Sequence, residues 1–136
     1  MIEVVNRQRK VRIDPKRWQS FSEKAQQAIR PDTQDATIAF VSDRQIRELN
    51  RQFRGIDGPT DVLSFPTEEP SGNNLGDIAI SLERAVIQAE ENGMTLDDEI
   101  AQLILHGLLH LCGYDHETDD GQMNRLELRL RKKLAI

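Results

Sequence analysis

The sequence predicts an α/β (α+β) fold: a single mixed sheet of about four strands, packed with helices in the order β-α-β-α-β-β-α-α-α. Three observations predict it. Short runs rich in β-forming residues occur at 2–5, 37–41, 62–65 and 76–80. Between and after them lie stretches with apolar residues at helical spacing, and beyond residue 81 only helical patterns remain. The chain has 136 residues, 38% hydrophobic and 30% charged, which suits one domain (1–136) that buries its own core.

Each element has its own local reason. Residues 2–5 read as the first strand, with Val11-Arg12-Ile13 extending or following it. Asp14-Pro15 starts a helix, with aspartate as cap and proline at the first helical position; Trp18, Phe21, Ala25 and Ile29 form its core stripe and Pro31 ends it. The continuous apolar run 37–41 is that of a strand covered on both faces. Ser42 or Asp43 caps a second helix carrying Ile46, Leu49 and Phe53 at helical spacing. The segment from Arg54 to Asp61, with two glycines and a proline, reads as a loop before the third strand at 62–65. Residues 66–75 are too rich in Pro, Gly and Asn for regular structure and are expected to be the most mobile part.

After the fourth strand, Ser81 caps a helix that turns Leu82, Ala85, Val86 and Ala89 inward and closes at Asn92-Gly93. Thr95 to Asp98 resembles a capping box at the head of the next helix. Asp119 is placed to cap a final helix with Met123, Leu126, Leu130 and Leu134 as its stripe and Arg125, Arg129, Arg131, Lys132 and Lys133 outside.

The formal net charge of −5 speaks against broad, non-specific attraction to nucleic acid, yet bases gather in the N-terminal third, from Arg7 to Lys24, so a one-sided basic surface is compatible with it. No apolar run has the length of a membrane span, and the N-terminus lacks a basic-then-apolar signal pattern; the expected location is the cytoplasm.

All three histidines fall between residues 106 and 116. His106 and His110, four apart, share one helix face about one turn, or roughly 6 Å, from each other. Their helix is apolar almost all round, through Ile100, Leu103, Ile104, Leu105, Leu108, Leu109 and Leu111. Its polar stripe is Glu99, Gln102, His106 and His110. Buried polar groups need partners, and a metal serves both imidazoles. Gly113 accepts the left-handed turn that ends a helix, so the chain can return with His116 as a third ligand. Three imidazoles suit one Zn2+ per chain with an open fourth position, as in catalytic sites. Cys112 points about 200° round the helix from His110, toward the apolar side, and is not expected to ligate.

The pattern His106-x3-His110-x5-His116, inside His-Gly-x-Leu-His-Leu-x-Gly-Tyr-Asp-His, resembles the zinc signature of the YbeY family of bacterial endoribonucleases. Phe53-Arg54-Gly55, with Thr60-Asp61-Val62-Leu63-Ser64-Phe65-Pro66, resembles a second motif of that family, and residues 75–81 resemble a third. The element order resembles its fold, so the likeness covers nearly the whole chain. It implies a single-strand-specific, zinc-dependent endoribonuclease that acts on ribosomal RNA, chiefly of the small subunit, and on ribosomal particles in their quality control. It implies zinc ligation by His106, His110 and His116, and a functional role for Arg54, whose planar fork suits phosphate oxygens.

Two other readings stand beside this one. The spacing also resembles the metzincin proteases, but Gly107 occupies the position of their catalytic glutamate, and a peptidase would need another carboxylate. A zinc-stabilised ribosome-associated or RNA-binding module without catalysis is the third reading. Asp61, Ser64 and Asp77 lie near strand ends and could face the cleft, although such residues there are more often caps or turn formers, and Glu99 or Asp115 could orient ligand histidines.

Overall fold

The computed structural model describes residues 1–31, 34–67, 73–114 and 121–136. The elements are β1 (Ile2–Asn6), α1 (Pro15–Ile29), β2 (Asp35–Val41), α2 (Asp43–Arg54), β3 (Val62–Pro66), β4 (Asn74–Ser81), α3 (Leu82–Glu91), α4 (Leu96–Leu111) and α5 (Gln122–Leu134). The strands form one mixed sheet in the order β1-β2-β4-β3. β1, β2 and β4 run parallel, and β3 pairs antiparallel with β4 at the edge. Element order and sheet class are those expected, and among the described residues no helix is long and apolar enough to cross a membrane.

Alternation along the strands assigns the two faces of the sheet. Ile38, Ile78 and Ile80 point to one side, where α1, α3, α4 and α5 close the main core around α4. Leu63 and Ala79 point to the other, where α2 contributes the buried Ile46. One helix does not cover that face, so Thr37 and Ala39 of β2 are only half-buried, and β2 is not the doubly covered strand its apolar run suggested. Phe53, near the C-terminal end of α2, is 64% exposed and meets the Phe65 ring edge to face at a centroid distance of 5.1 Å.

Several boundaries differ from expectation for local reasons. Residues 11–13 form no strand, because the buried Gln8 side chain bonds both the N–H and the C=O of Val11 (2.9 and 2.8 Å) and so takes the place of a ladder partner. Arg54 is the last residue of α2 rather than part of a loop. Ser42, not Asp43, caps α2, in a capping box with Gln45. Residues 73–75, expected to be irregular, pair or lead into β4. Asp119 lies outside the described residues; Gly121 stands at the cap position of α5. Arg131 is not on the outside of α5 but half-buried, turned toward Glu127.

α4 owes its position to caps at both ends and a contact at its middle. Thr95 accepts from the Asp98 N–H at the start. At the end, the Gly113 and Tyr114 N–H groups donate back to the His110 and Leu109 carbonyls, with Gly113 left-handed at φ +96°, the Schellman arrangement. The Arg30 guanidinium donates to the Cys112 carbonyl at 2.8 Å, a cation where the helix dipole favours one. In the middle, a Cβ on Gly107 would come within 3.0 Å of two Ile78 side-chain atoms, so the helix lies close against β4 and a larger residue at 107 needs Ile78 to shift.

That contact predicts a measurable cost. Alanine at 107 gains up to about 1 kcal/mol of helix propensity but overpacks a filled core, at about 1–3 kcal/mol. Gly107→Ala is therefore expected to lower the stability measured by urea unfolding. The loss should shrink in an Ile78→Val background, which removes one of the crowded methyls; an equal loss in both backgrounds would place the strain elsewhere.

Candidate metal centre

His106 and His110 emerge from the exposed side of α4, beside the edge strand β3, and both are partly buried. Their rings meet edge to face with centroids 4.7 Å apart, and the two Nε2 atoms are 3.1 Å from each other. The other nitrogen of His106, Nδ1, lies 3.1 Å from Oε1 of Glu127 on α5. Glu127 is 6% exposed, and its second oxygen faces Arg131 Nη2 at 3.9 Å. The Ser64 hydroxyl donates to the Gly107 carbonyl at 3.4 Å, tying α4 to β3 between the two histidines.

The donor set fits a metal ion. A carboxylate can only accept, so the His106 hydrogen belongs on Nδ1, which leaves Nε2 as a lone pair aimed where the Nε2 of His110 also points. Two imidazole nitrogens that converge in this way are what zinc ligation requires of an i, i+4 pair. His116 and Asp115 lie outside the described residues, and among the described residues no third His, Cys, Asp or Glu completes a metal-holding group. Cys112 is buried in the main core, and burial pushes its thiol pKa up, which suits a packing residue rather than a thiolate ligand.

A cleft of about 300 Å3 opens beside the histidines, lined by Asp61, Val62, Glu99, Gln102, Leu103, His106, Glu127 and Arg131. Asp61 accepts from the Val62 N–H at 2.8 Å, capping the start of β3 as well as facing the cleft. The residue that orients a histidine among the described residues is Glu127, across on α5, rather than Glu99 on the histidines' own helix. Asp77, which its place near a strand end made a candidate for the cleft, faces the opposite side of the sheet. There a larger, mainly apolar groove of about 610 Å3 runs between α2 and the sheet, rimmed by Arg7, Gln45, Glu48 and Asp77.

Arg54 lines neither the cleft nor the groove among the described residues. It is exposed at the end of α2, on the sheet face away from α4. Its helix neighbours are paired, Arg47 with Asp57 and Arg51 with Glu48, whereas Arg54 has no ion-pair partner among the described residues.

Glu99 gives the cleft a pH signature. Burial raises its carboxyl pKa, and nearby Asp61 raises it further, against a smaller lowering by Arg131. Between the ordinary carboxylate value and the raised one, the folded chain binds more protons than the unfolded chain, so this group's contribution to stability is present at low pH and lost as pH rises through the folded value. Glu99→Gln is expected to melt higher than the parent at neutral pH, and the gap should narrow on acidification toward pH 4. A gap that widens on acidification would reverse the sign.

Comparison with known proteins bears on the whole of this arrangement. A family model described as Endoribonuclease YbeY matches residues 3–135. The Endoribonuclease YbeY of Aquifex aeolicus is 40% identical over 134 residues, 95% of this chain and 88% of the relative. That of Nautilia profundicola is 54% identical over 102 residues, 75% of this chain and 73% of the relative. A solution structure of a Thermotoga maritima protein superposes with a TM-score of 0.70 at 30% identity, over 98% of this chain and 89% of that one. By sequence and by fold alike, the chain belongs to the Endoribonuclease YbeY family.

Proposed function

We propose that this protein is a zinc-dependent, single-strand-specific endoribonuclease of the cytoplasm. Its substrate in this reading is ribosomal RNA, chiefly that of the small subunit, during maturation and in the quality control of ribosomal particles. The observation that carries the reading is the pair of facing Nε2 atoms of His106 and His110, 3.1 Å apart, in a chain of a family named for endoribonuclease activity. His106, His110 and His116 would hold the ion. Bound there, zinc supplies a Lewis acid for a phosphoryl oxygen at the scissile bond.

The chain's own residues do the rest. The cleft beside His106 is small, about 300 Å3, and lies against the edge strand, which suits an unpaired strand better than a rigid duplex. In this reading the RNA crosses the edge of the sheet at β3, which lets Arg54 meet a phosphate from the α2 side. Arg54 suits that task because its guanidinium is exposed and uncommitted to any described carboxylate, while Arg47 and Arg51 are engaged.

The metallopeptidase reading finds no support in the geometry. Position 107, where a glutamate base would stand, is filled by the close contact with Ile78. Any side chain there presses on Ile78, which has to give way to admit it.

Two experiments test the proposal. The first is metal analysis of purified variants: alanine at His106, His110 or His116 should lower zinc well below one per chain, whereas Cys112→Ser should retain it. Zinc kept by His116→Ala, or lost by Cys112→Ser, would contradict the three-histidine site. The second is single-turnover cleavage of labelled single-stranded RNA, duplex RNA and an unfolded protein, each with and without chelator. Chelator-sensitive cutting of the single strand alone is expected. Arg54→Ala should slow it by about 10²–10³ with zinc content and melting temperature unchanged, and Arg54→Lys should recover part of the rate. Cleavage at the parent rate would remove Arg54 from the reaction; cleavage of the protein substrate would restore the peptidase reading.

A further inference from the structure

We infer that Glu127 is a positioning residue: from α5 it sets the tautomer and ring plane of His106, so that α5 takes part in building the metal centre that α4 presents. The inference rests on the proposed metal reading for its purpose, but its geometry stands independently of it. Glu127 is more than nine-tenths buried, and a charge so placed persists only where hydrogen bonds and opposite charge compensate its lost hydration.

Among the described residues the compensation comes from two directions. His106 Nδ1 donates to Oε1 at 3.1 Å, and the Arg131 guanidinium, one turn further along α5, stands 3.9 Å from Oε2. Arg131 thus holds the carboxylate, and the carboxylate holds the ring. Because the carboxylate can only accept, it selects, of the two neutral tautomers, the one with hydrogen on Nδ1 and the lone pair on Nε2. That nitrogen is the one facing Nε2 of His110 at 3.1 Å. A negative charge behind an imidazole also raises its basicity as a ligand.

A purely structural role, in which Glu127 merely fastens α5 to α4, predicts different results. If that were its whole function, Glu127→Gln, which keeps an acceptor oxygen and the side-chain shape, would restore the parent in every respect. If Glu127 tunes the ligand, glutamine keeps the ring tautomer but loses the charge behind it.

The test therefore reads tautomer, zinc affinity and melting on the same samples of parent, Glu127→Gln and Glu127→Ala. Long-range 1H–15N correlation spectra of the metal-free parent should show the His106 hydrogen on Nδ1. Glutamine should keep that pattern with part of the zinc affinity lost. Alanine should shift the hydrogen toward Nε2 and weaken zinc binding by about 10- to 100-fold. If Glu127→Ala does not fold, the parent and glutamine samples decide alone. A parent His106 protonated on Nε2, or a glutamine variant with zinc affinity equal to the parent's, would overturn the assignment. A parent that folds but binds no zinc would defeat the metal reading, and the tautomer measured on that same sample would still support or overturn the role of Glu127.

Discussion

The close contact between α4 and β4, Gly107 against Ile78, is the constraint on which the rest of this structure depends. It lets the most apolar helix of the chain lie flat on the sheet, with ten of its sixteen residues buried. With Leu103, Ile104, Leu108 and Leu111 directed into the core, the polar stripe must emerge along the β3 edge. His106 and His110 flank Gly107 in sequence, so the residue that sets the depth of the helix also sets how far the imidazoles stand out from the sheet. The end caps and the Ser64 hydroxyl prevent the helix from sliding or turning about that point.

What lies around the histidines follows from which elements are left to surround an edge. Among the described residues β3 pairs only with β4, and its start, with Asp61 and Val62, lines the cleft. α5 packs on α4 and completes the wall with Glu127 and Arg131. The result is a small polar cleft in which carboxylates outnumber cations, with two buried acids, Glu99 and Glu127, of which Glu99 holds its proton more tightly than usual. On the other face of the sheet, a single helix leaves an apolar groove open, which explains why Phe53 is exposed despite its helical spacing from Ile46 and Leu49.

The parts of this arrangement that depend on local periodicity were legible in the sequence. The strand and helix order, the buried character of α4 and the shared face of His106 and His110 are all consequences of spacing along one element. Gly113 was legible as a helix end for the same reason. The parts that depend on contacts between elements were not. Glu127 sits among the charged residues of α5, 21 residues from the ring it touches, and no spacing rule links them. Gly107 looked like the absence of a catalytic carboxylate, whereas its neighbour in space, Ile78, gives it a packing role as well. Gln8 could not be recognised as the group that replaces a strand partner for Val11, because that role depends on a side chain folding back on the backbone.

The central claim is that α4 delivers imidazole nitrogens, and no sulfur, to one zinc ion. X-ray absorption at the zinc edge of the loaded protein tests it most directly, because nitrogen and thiolate ligands differ in both distance and scattering. The account predicts a single shell of nitrogen and oxygen neighbours at about 2.0–2.1 Å with the multiple scattering of imidazole rings. A sulfur neighbour at about 2.3 Å, which only Cys112 or a methionine of this chain could supply, would contradict it.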